Sequence, residues 1–330
     1  MKLTTTYLGL KLKNPLIVGA SPFCDNLTIC RELEAAGASA IVMHSLFEEQ
    51  LDAESRAFVA NTEGAAESFS EAASFFPRYE EYHLGPIQYI RRLTRLRKLV
   101  EIPIIASLNG RNLGTWVSYA QQMEDAGASA IELNMYQLVT SPVVAGDQVE
   151  ADMLRIVRSV VSSVKIPVAV KLSPYHTALA QFARTLENAG VAGLVLFNRF
   201  YQPDFNIDDL EVVPQLKLSD PSELLPRLRW LSILSPHFEG SLSCSGGVHR
   251  AEDVIKAILA GAHSVQLVSV LLKQGPAYVA TLLEGLYAWM VEHDYASVDE
   301  FRGAMNLSRC PDAAAHERAN YIRILQSWKV

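Results

Sequence analysis

One pattern recurs four times along the chain and limits its folding more than any other: a helix end, a glycine, and a short apolar run that closes on polar residues. The copies are Ala35–Ser45, Asp125–Gln137, Ala189–Arg199 and Ala260–Ser269. A glycine just past a helix takes the left-handed conformation at little cost, so the chain can turn directly into a buried strand. Each copy is thus the αβ half of a βαβ unit. Ile102–Gly110 and Ile166–Pro174, both entered through Ile-Pro, are two further apolar runs, and Leu16–Pro22 and Ser241–Gly247 complete a set of eight candidate strands. Near-continuous apolar strands alternating with amphipathic helices form a parallel sheet buried on both faces. Eight such units predict an α/β fold of the (β/α)8 TIM-barrel type.

At 330 residues the chain exceeds the roughly 250 typical of such a barrel, yet one domain suffices. We expect the barrel over about residues 15–295, with a helical extension over 296–330. Met1–Asn14 alternates apolar and polar side chains about a glycine, as a hairpin closing the barrel's bottom would. Long top-face segments follow the second strand, through about Pro77, and the sixth, over Tyr201–Arg229. Loops of that length are usually functional, and the first could act as a lid or simply pack through Phe75, Phe76, Tyr79 and Tyr82. Ser297–Phe301 has the spacing of a capping box that starts a helix, and Trp328 near the end needs burial.

Formal net charge is −7, and the one basic tract, Arg91–Lys98, alternates with leucines as a solvated helix face does, so no nucleic-acid partner is expected. No apolar run approaches the roughly 18 residues of a membrane span. The cysteines, Cys24, Cys30, Cys244 and Cys310, form no C-x-x-C pair and no signal-peptide pattern opens the chain, which together predict a cytoplasmic location. The eight histidines fall at no zinc-like spacing, so no metal is expected.

Chemistry in such a barrel sits at the strand C-termini. There the chain offers Gly19-Ala20-Ser21-Pro22, small enough for a flat ligand to approach the backbone or simply a tight turn; His44-Ser45; Ser107-Leu108-Asn109-Gly110; and Glu132 with Asn134. Lys171 closes a buried Val-Ala-Val run, so its ammonium must either meet an anion, whether a ligand or Glu132, or lose its charge. Asn198 ends the sixth strand. Ser245-Gly246-Gly247 after the seventh and Val268-Ser269 after the eighth lie where such barrels bind phosphate through backbone N–H groups, so a phosphorylated ligand is expected.

With these pieces in order, the chain resembles the dihydroorotate dehydrogenase family, including the flavin domain of dihydropyrimidine dehydrogenases. The similarity runs from about Lys2 to Phe301. It is carried by Asn14-Pro15 with Gly19-Ala20-Ser21, Ser45, Ala106-Ser107, Glu132-Leu133-Asn134, Val170-Lys171-Leu172, Asn198, Ser245-Gly246-Gly247 and Leu271-x-x-x-Gly275-Pro276. The resemblance implies an FMN-dependent barrel. Ala20, Ser21 and Ser45 would touch the flavin, Asn134 and Asn198 would lie near flavin and substrate, and Lys171 would face the N1–O2 edge. Ser245, Gly246, Gly247, Val268 and Ser269 would hold the phosphate. It also implies a small-molecule substrate, a homodimer and, because the chain has no cysteine cluster motif for iron–sulfur centres, a separate electron-transfer subunit.

The family presents a cysteine or serine base three residues after the strand-four asparagine, where this chain has Gln137. Glutamine takes no proton at a useful pH, so altered or weak activity on dihydroorotate is expected. Tyr136, Ser141 and His44 are the other candidates for that role, and His44, in place of the family's lysine, could take a proton or bind a carboxylate. Arg227–Ser232 replaces a glycine-rich flavin loop. Lys171, Asn134 and His44 are therefore the candidate catalytic residues. Two other readings stay open: a flavin-free barrel lyase or isomerase using Lys171 as a Schiff-base amine, and a noncatalytic binding protein.

Overall fold

A computed structural model describes residues 1–47, 86–110, 113–135, 137–199, 202–213, 216–309 and 313–327. The chain opens with an antiparallel hairpin of β1 (Thr5–Tyr7) and β2 (Leu10–Leu12). Six strands follow in alternation with helices: β3 (Leu16–Val18), β4 (Ile41–Phe47), β5 (Ile104–Asn109), β6 (Ala130–Asn134), β7 (Val168–Leu172) and β8 (Gly193–Leu196). A small hairpin, β9 (Asp204–Asn206) with β10 (Glu211–Val213), precedes β11 (Ser241–Ser245) and β12 (Ser264–Leu267). Strands β3 to β8, β11 and β12 close into a parallel barrel, each beside its sequence neighbour and β12 back beside β3. The expected (β/α)8 architecture is the one observed.

The four recurring glycines behave as the pattern requires: Gly37, Gly127, Gly190 and Gly261 all have positive φ, between 89° and 120°. Each ends a helix and turns the chain into the strand that follows. The helices α1 (Leu27–Ala35), α2 (Pro86–Leu99), α3 (Leu113–Asp125), α4 (Gly146–Ser163) and α5 (Leu179–Asn188) bury one stripe each against the strands' outer faces. In α2 that stripe is Tyr89, Leu93 and Leu96, leaving Arg91, Arg95, Arg97 and Lys98 exposed. The basic tract is a solvated helix face.

Inside the barrel the lower layer is apolar. Tyr7, Leu8 and Leu12 of the hairpin pack with Ile17, Val42, Ile105, Ala130, Ala169 and Val195. The Leu8 N–H donates to Ser241 Oγ at 2.9 Å, which fastens the plug. The C-terminal part locks the same floor: Lys2 bridges to Ser297, and Arg302 donates to Thr5 Oγ1 at 3.2 Å.

His263 belongs to that lock. Its Nδ1 accepts from the Leu242 N–H at 3.1 Å, and burial, aided by Arg302, pulls its pKa down to about 4. The unfolded chain takes up this proton near pH 6.5 while the folded chain refuses it until about pH 4, so acid favours unfolding. The stability held by neutral His263 is complete above about pH 6.5 and is lost as pH falls toward 4. On the order of 3 kcal/mol is at stake. Urea melts near pH 7.5 and pH 4.5 should show this loss, and His263→Gln, which keeps an acceptor, should flatten it.

One expectation changes, at Ser297, and two gain detail. The segment after β8 holds the β9–β10 hairpin, a 3-10 turn at Pro221–Glu223, and the start of α6 (Leu224–Leu234). Ser297 precedes the short helix Val298–Phe301 without a side-chain cap bond, and Glu300 accepts from the Ala296 N–H instead. The backbone there is already held by Lys2, whose carbonyl accepts from the Val298 N–H. The C-terminal stretch contains a helix at Ala313–Ser327, whereas Trp328, the lid candidate from Glu48 through Tyr82, and Tyr136 lie outside the described residues. No helix among the described residues is long and apolar enough to cross a membrane.

Candidate active site

Above the apolar layer the barrel interior turns polar, because alternate residues near the strand ends share the inner face. Lys171 Nζ donates to Glu132 Oε1 at 3.3 Å and to Gln266 Oε1 at 3.2 Å, and Gln266 Nε2 donates to Glu132 Oε2 at 2.6 Å. All three residues are buried. The triangle fixes the Gln266 amide, satisfies both carboxylate oxygens and commits two of the three ammonium protons, leaving the third for a ligand. Lys171 therefore meets Glu132, as the structural alternative held, and also retains a donor for an incoming anion.

One layer further up, Ser45 and Ser107 share a hydroxyl hydrogen bond of 2.7 Å, and Asn134 Nδ2 donates to Ser45 Oγ at 3.3 Å. Asn134 Oδ1, Asn109 Nδ2 and Ser21 Oγ are buried with no partner among the described residues. Buried polar atoms are normally paired, so three orphans at one mouth mark a place built for something with its own donors and acceptors. Ala20 lies beside them after β3, half-buried, and Asn198 is held there through its N–H, which donates to the Leu172 carbonyl at 2.7 Å.

The glycine-lined side of the mouth is assembled from three loops. Gly246 and Gly247 have φ of 97° and 80°, and a Cβ on Gly247 would stand 2.4 Å from the Leu224 nitrogen. Ser219, buried ahead of α6, donates its N–H to Ser269 Oγ at 3.0 Å and accepts from the Gly247 N–H at 3.4 Å. Lys273 Nζ donates to the Ser219 carbonyl at 3.1 Å, so a cation stands behind the cradle. Arg227 is buried beneath it, donating Nε to the Ser245 carbonyl at 2.6 Å and Nη1 to the Glu223 carbonyl. Arg227–Ser232 are thus helical; the Arg227 guanidinium lies against Gly246, and Ser219 is the residue whose hydroxyl accepts from the Gly247 N–H. Val268 precedes α7 (Ser269–Gln274), beside β3's end.

His44 stands apart from Lys171 and Asn134. Val42 pairs with Ile105 and Ser45 with Ser107, three steps on β4 against two on β5, so the strand carries one extra residue. Such a bulge re-aims a side chain. The His44 ring Nδ1 lies 3.0 Å from Cys24 Sγ and 3.3 Å from Asp25 Oδ1, its edge meets Tyr89 at 5.4 Å, and Arg92 pairs with Asp25. Burial lowers the His44 pKa, against the pull of Asp25, and the same desolvation pushes the Cys24 thiol up to about 12. A neutral imidazole in that nook is a poor partner for a substrate carboxylate. Gln137 and Ser141, by contrast, sit exposed on the loop after β6.

Gln266 and Ser219 escaped sequence reasoning, whereas Asn109 was visible at its strand end. Gln266 had a signal: it follows Ser264 at the two-residue spacing that shares an inner face. Ser219 had none, because its role depends on a turn between hairpin and helix.

Polar groups at the strand C-termini and a glycine-lined cradle at the last two strands are arranged as in (β/α)8 barrels generally. The family model for dihydroorotate dehydrogenase matches residues 2–217, and the chain belongs to that family. It is 27% identical to the catalytic subunit of dihydroorotate dehydrogenase B (NAD(+)) of Thermoplasma volcanium, over 91% of this chain and 97% of that one. Identity to the corresponding subunit of Bacillus pumilus is 30%, over 66% and 71%. The chloroplastic dihydropyrimidine dehydrogenase (NADP(+)) of Arabidopsis thaliana is 24% identical, over 91% and 76%.

Proposed function

We propose that the chain is an FMN-dependent oxidoreductase that moves a hydride between the CH–CH bond of a cyclic, dihydroorotate-like substrate and the flavin. The observation that carries this reading is the set of orphaned polar atoms at the barrel mouth that also holds the Lys171 triangle and the glycine cradle. The residues fit the cofactor: Gly246, Gly247, Ser219 and Ser269 would hold its phosphate, Ala20, Ser21, Ser45 and Asn198 its ring, and the third donor of Lys171 an electron-rich ring edge. Bound FMN supplies a two-electron acceptor that no side chain provides. Lys171, locked by two acceptors, offers a fixed positive charge where negative charge develops. Asn109 Nδ2 and Asn134 Oδ1 present one donor and one acceptor, the complement of a ring amide. The same lock disfavours the Schiff-base reading, because a lysine must lose its proton to attack a carbonyl.

Because Gln137 supplies no base, slow or redirected turnover on dihydroorotate remains part of the proposal. Electrons would leave through a separate subunit; a homodimer and a cytoplasmic location complete the proposal. The test begins with the visible spectrum of the purified protein, followed by dihydroorotate added without oxygen. A flavin band that bleaches supports both cofactor and substrate. A band that dithionite bleaches and dihydroorotate does not keeps the flavin and moves the search to other cyclic amides. No flavin, even after FMN is added, overturns the proposal.

A further inference from the structure

We propose that Cys24, Asp25 and His44 form a binding site for one borderline divalent cation of the zinc class, beside the mouth of the barrel. Cys24 and Asp25 come from the 3-10 turn Pro22–Asp25 after β3, and His44 from the bulge in β4. The ligating atoms stand 3.0 Å (Sγ to Nδ1), 3.3 Å (Nδ1 to Oδ1) and 4.0 Å (Sγ to Oδ1) apart. Atoms about 2.0–2.3 Å from a tetrahedral centre are themselves about 3.3–3.5 Å apart, so small side-chain rotations would bring all three onto one ion.

Thiolate, imidazole and carboxylate together suit zinc better than magnesium or calcium, which prefer oxygen ligands. The His44 backbone N–H already donates to Cys24 Sγ at 3.3 Å, a contact that would strengthen on a thiolate. Three protein ligands leave a fourth position open, and the Asp25 side chain is 45% exposed, which gives an ion a way in. The thiol proton leaves to solvent as the metal–sulfur bond forms. Arg92, now paired with Asp25, is the one competitor among the described residues, and it can either move to the free carboxylate oxygen or swing outward.

The site does not depend on the flavin reading, and its test reads the metal alone. The purified protein is freed of metal with a chelator, dialysed against Zn(II), and examined for stoichiometry and by zinc-edge X-ray absorption. One zinc per chain is expected, with a single sulfur scatterer at about 2.3 Å and a nitrogen–oxygen shell at about 2.0–2.1 Å. Cys24→Ser should remove the sulfur, and Asp25→Asn should weaken retention at least tenfold. Arg92→Gln, a surface change that leaves all three ligands in place, should tighten it. A bound zinc without sulfur, a sulfur that persists in Cys24→Ser, or retention unchanged in both Asp25→Asn and Arg92→Gln would overturn the proposal.

Discussion

Replacing Lys171 with methionine should destabilise the protein by about 3–5 kcal/mol, because the Glu132 carboxylate would stay buried with its cation gone. Among the described residues, Glu132 would retain the Gln266 Nε2–H as its side-chain partner. The penalty comes from the stranded charge rather than from a lost contact, so adding Glu132→Gln in the same chain should restore most of the stability. A double-mutant cycle from urea melts measures this directly. The same variant tests the flavin reading. Loss of a fixed charge worth about 3 kcal/mol where negative charge develops corresponds to a fall of about 60 mV in a two-electron flavin potential. A double variant that regains stability while its potential stays low would separate the structural role of Lys171 from its electrostatic one; a potential unchanged in both variants would remove Lys171 from the flavin's environment.

Gly247→Ala is expected to be the most damaging single methyl in the chain. A Cβ there would meet the Leu224 nitrogen at 2.4 Å, its Cα at 2.8 Å and the Glu223 carbonyl carbon at 2.9 Å, all backbone atoms that cannot rotate away. The φ of 80° adds strain of about 1–3 kcal/mol even without the clash. Helix α6 would have to shift, taking Ser219 and Arg227 with it. A stability loss of about 3–5 kcal/mol should accompany at least a hundredfold weaker hold on FMN, read by flavin fluorescence during titration of the apoprotein. Gly275→Ala is the control: its φ is 85° but its Cβ would meet nothing within 4 Å, so only the conformational part of the cost should appear.

The barrel was legible because its information is local and repeated. Gly37, Gly127, Gly190 and Gly261 each carry their own signal for a helix stop and a strand start, and no long-range contact is needed to read it. Lys171 and Asn134 were legible for a related reason: a charge or an amide in an apolar strand is conspicuous. What stayed hidden depends on shape rather than pattern. The bulge before Ser45 adds one residue to a strand and leaves no trace in its hydrophobicity, yet it brings His44 to Cys24 and Asp25. The β9–β10 hairpin has three residues per strand, too few for alternation to register. Ser219 reaches Gly247 only because α6 begins beside that glycine.

The floor of the barrel is tied by residues from opposite ends of the chain. Lys2 pairs with Ser297, Thr5 Oγ1 donates to the His263 carbonyl at 3.0 Å, and Leu8 is held by Ser241. During synthesis, therefore, Tyr7, Leu8 and Leu12 emerge long before most of the surfaces that will cover them. The opening hairpin gains its cover piecemeal, from Ile17 and Val42 first to Val195 and Ser241 later, and the tie from Arg302 to Thr5 comes after all of these.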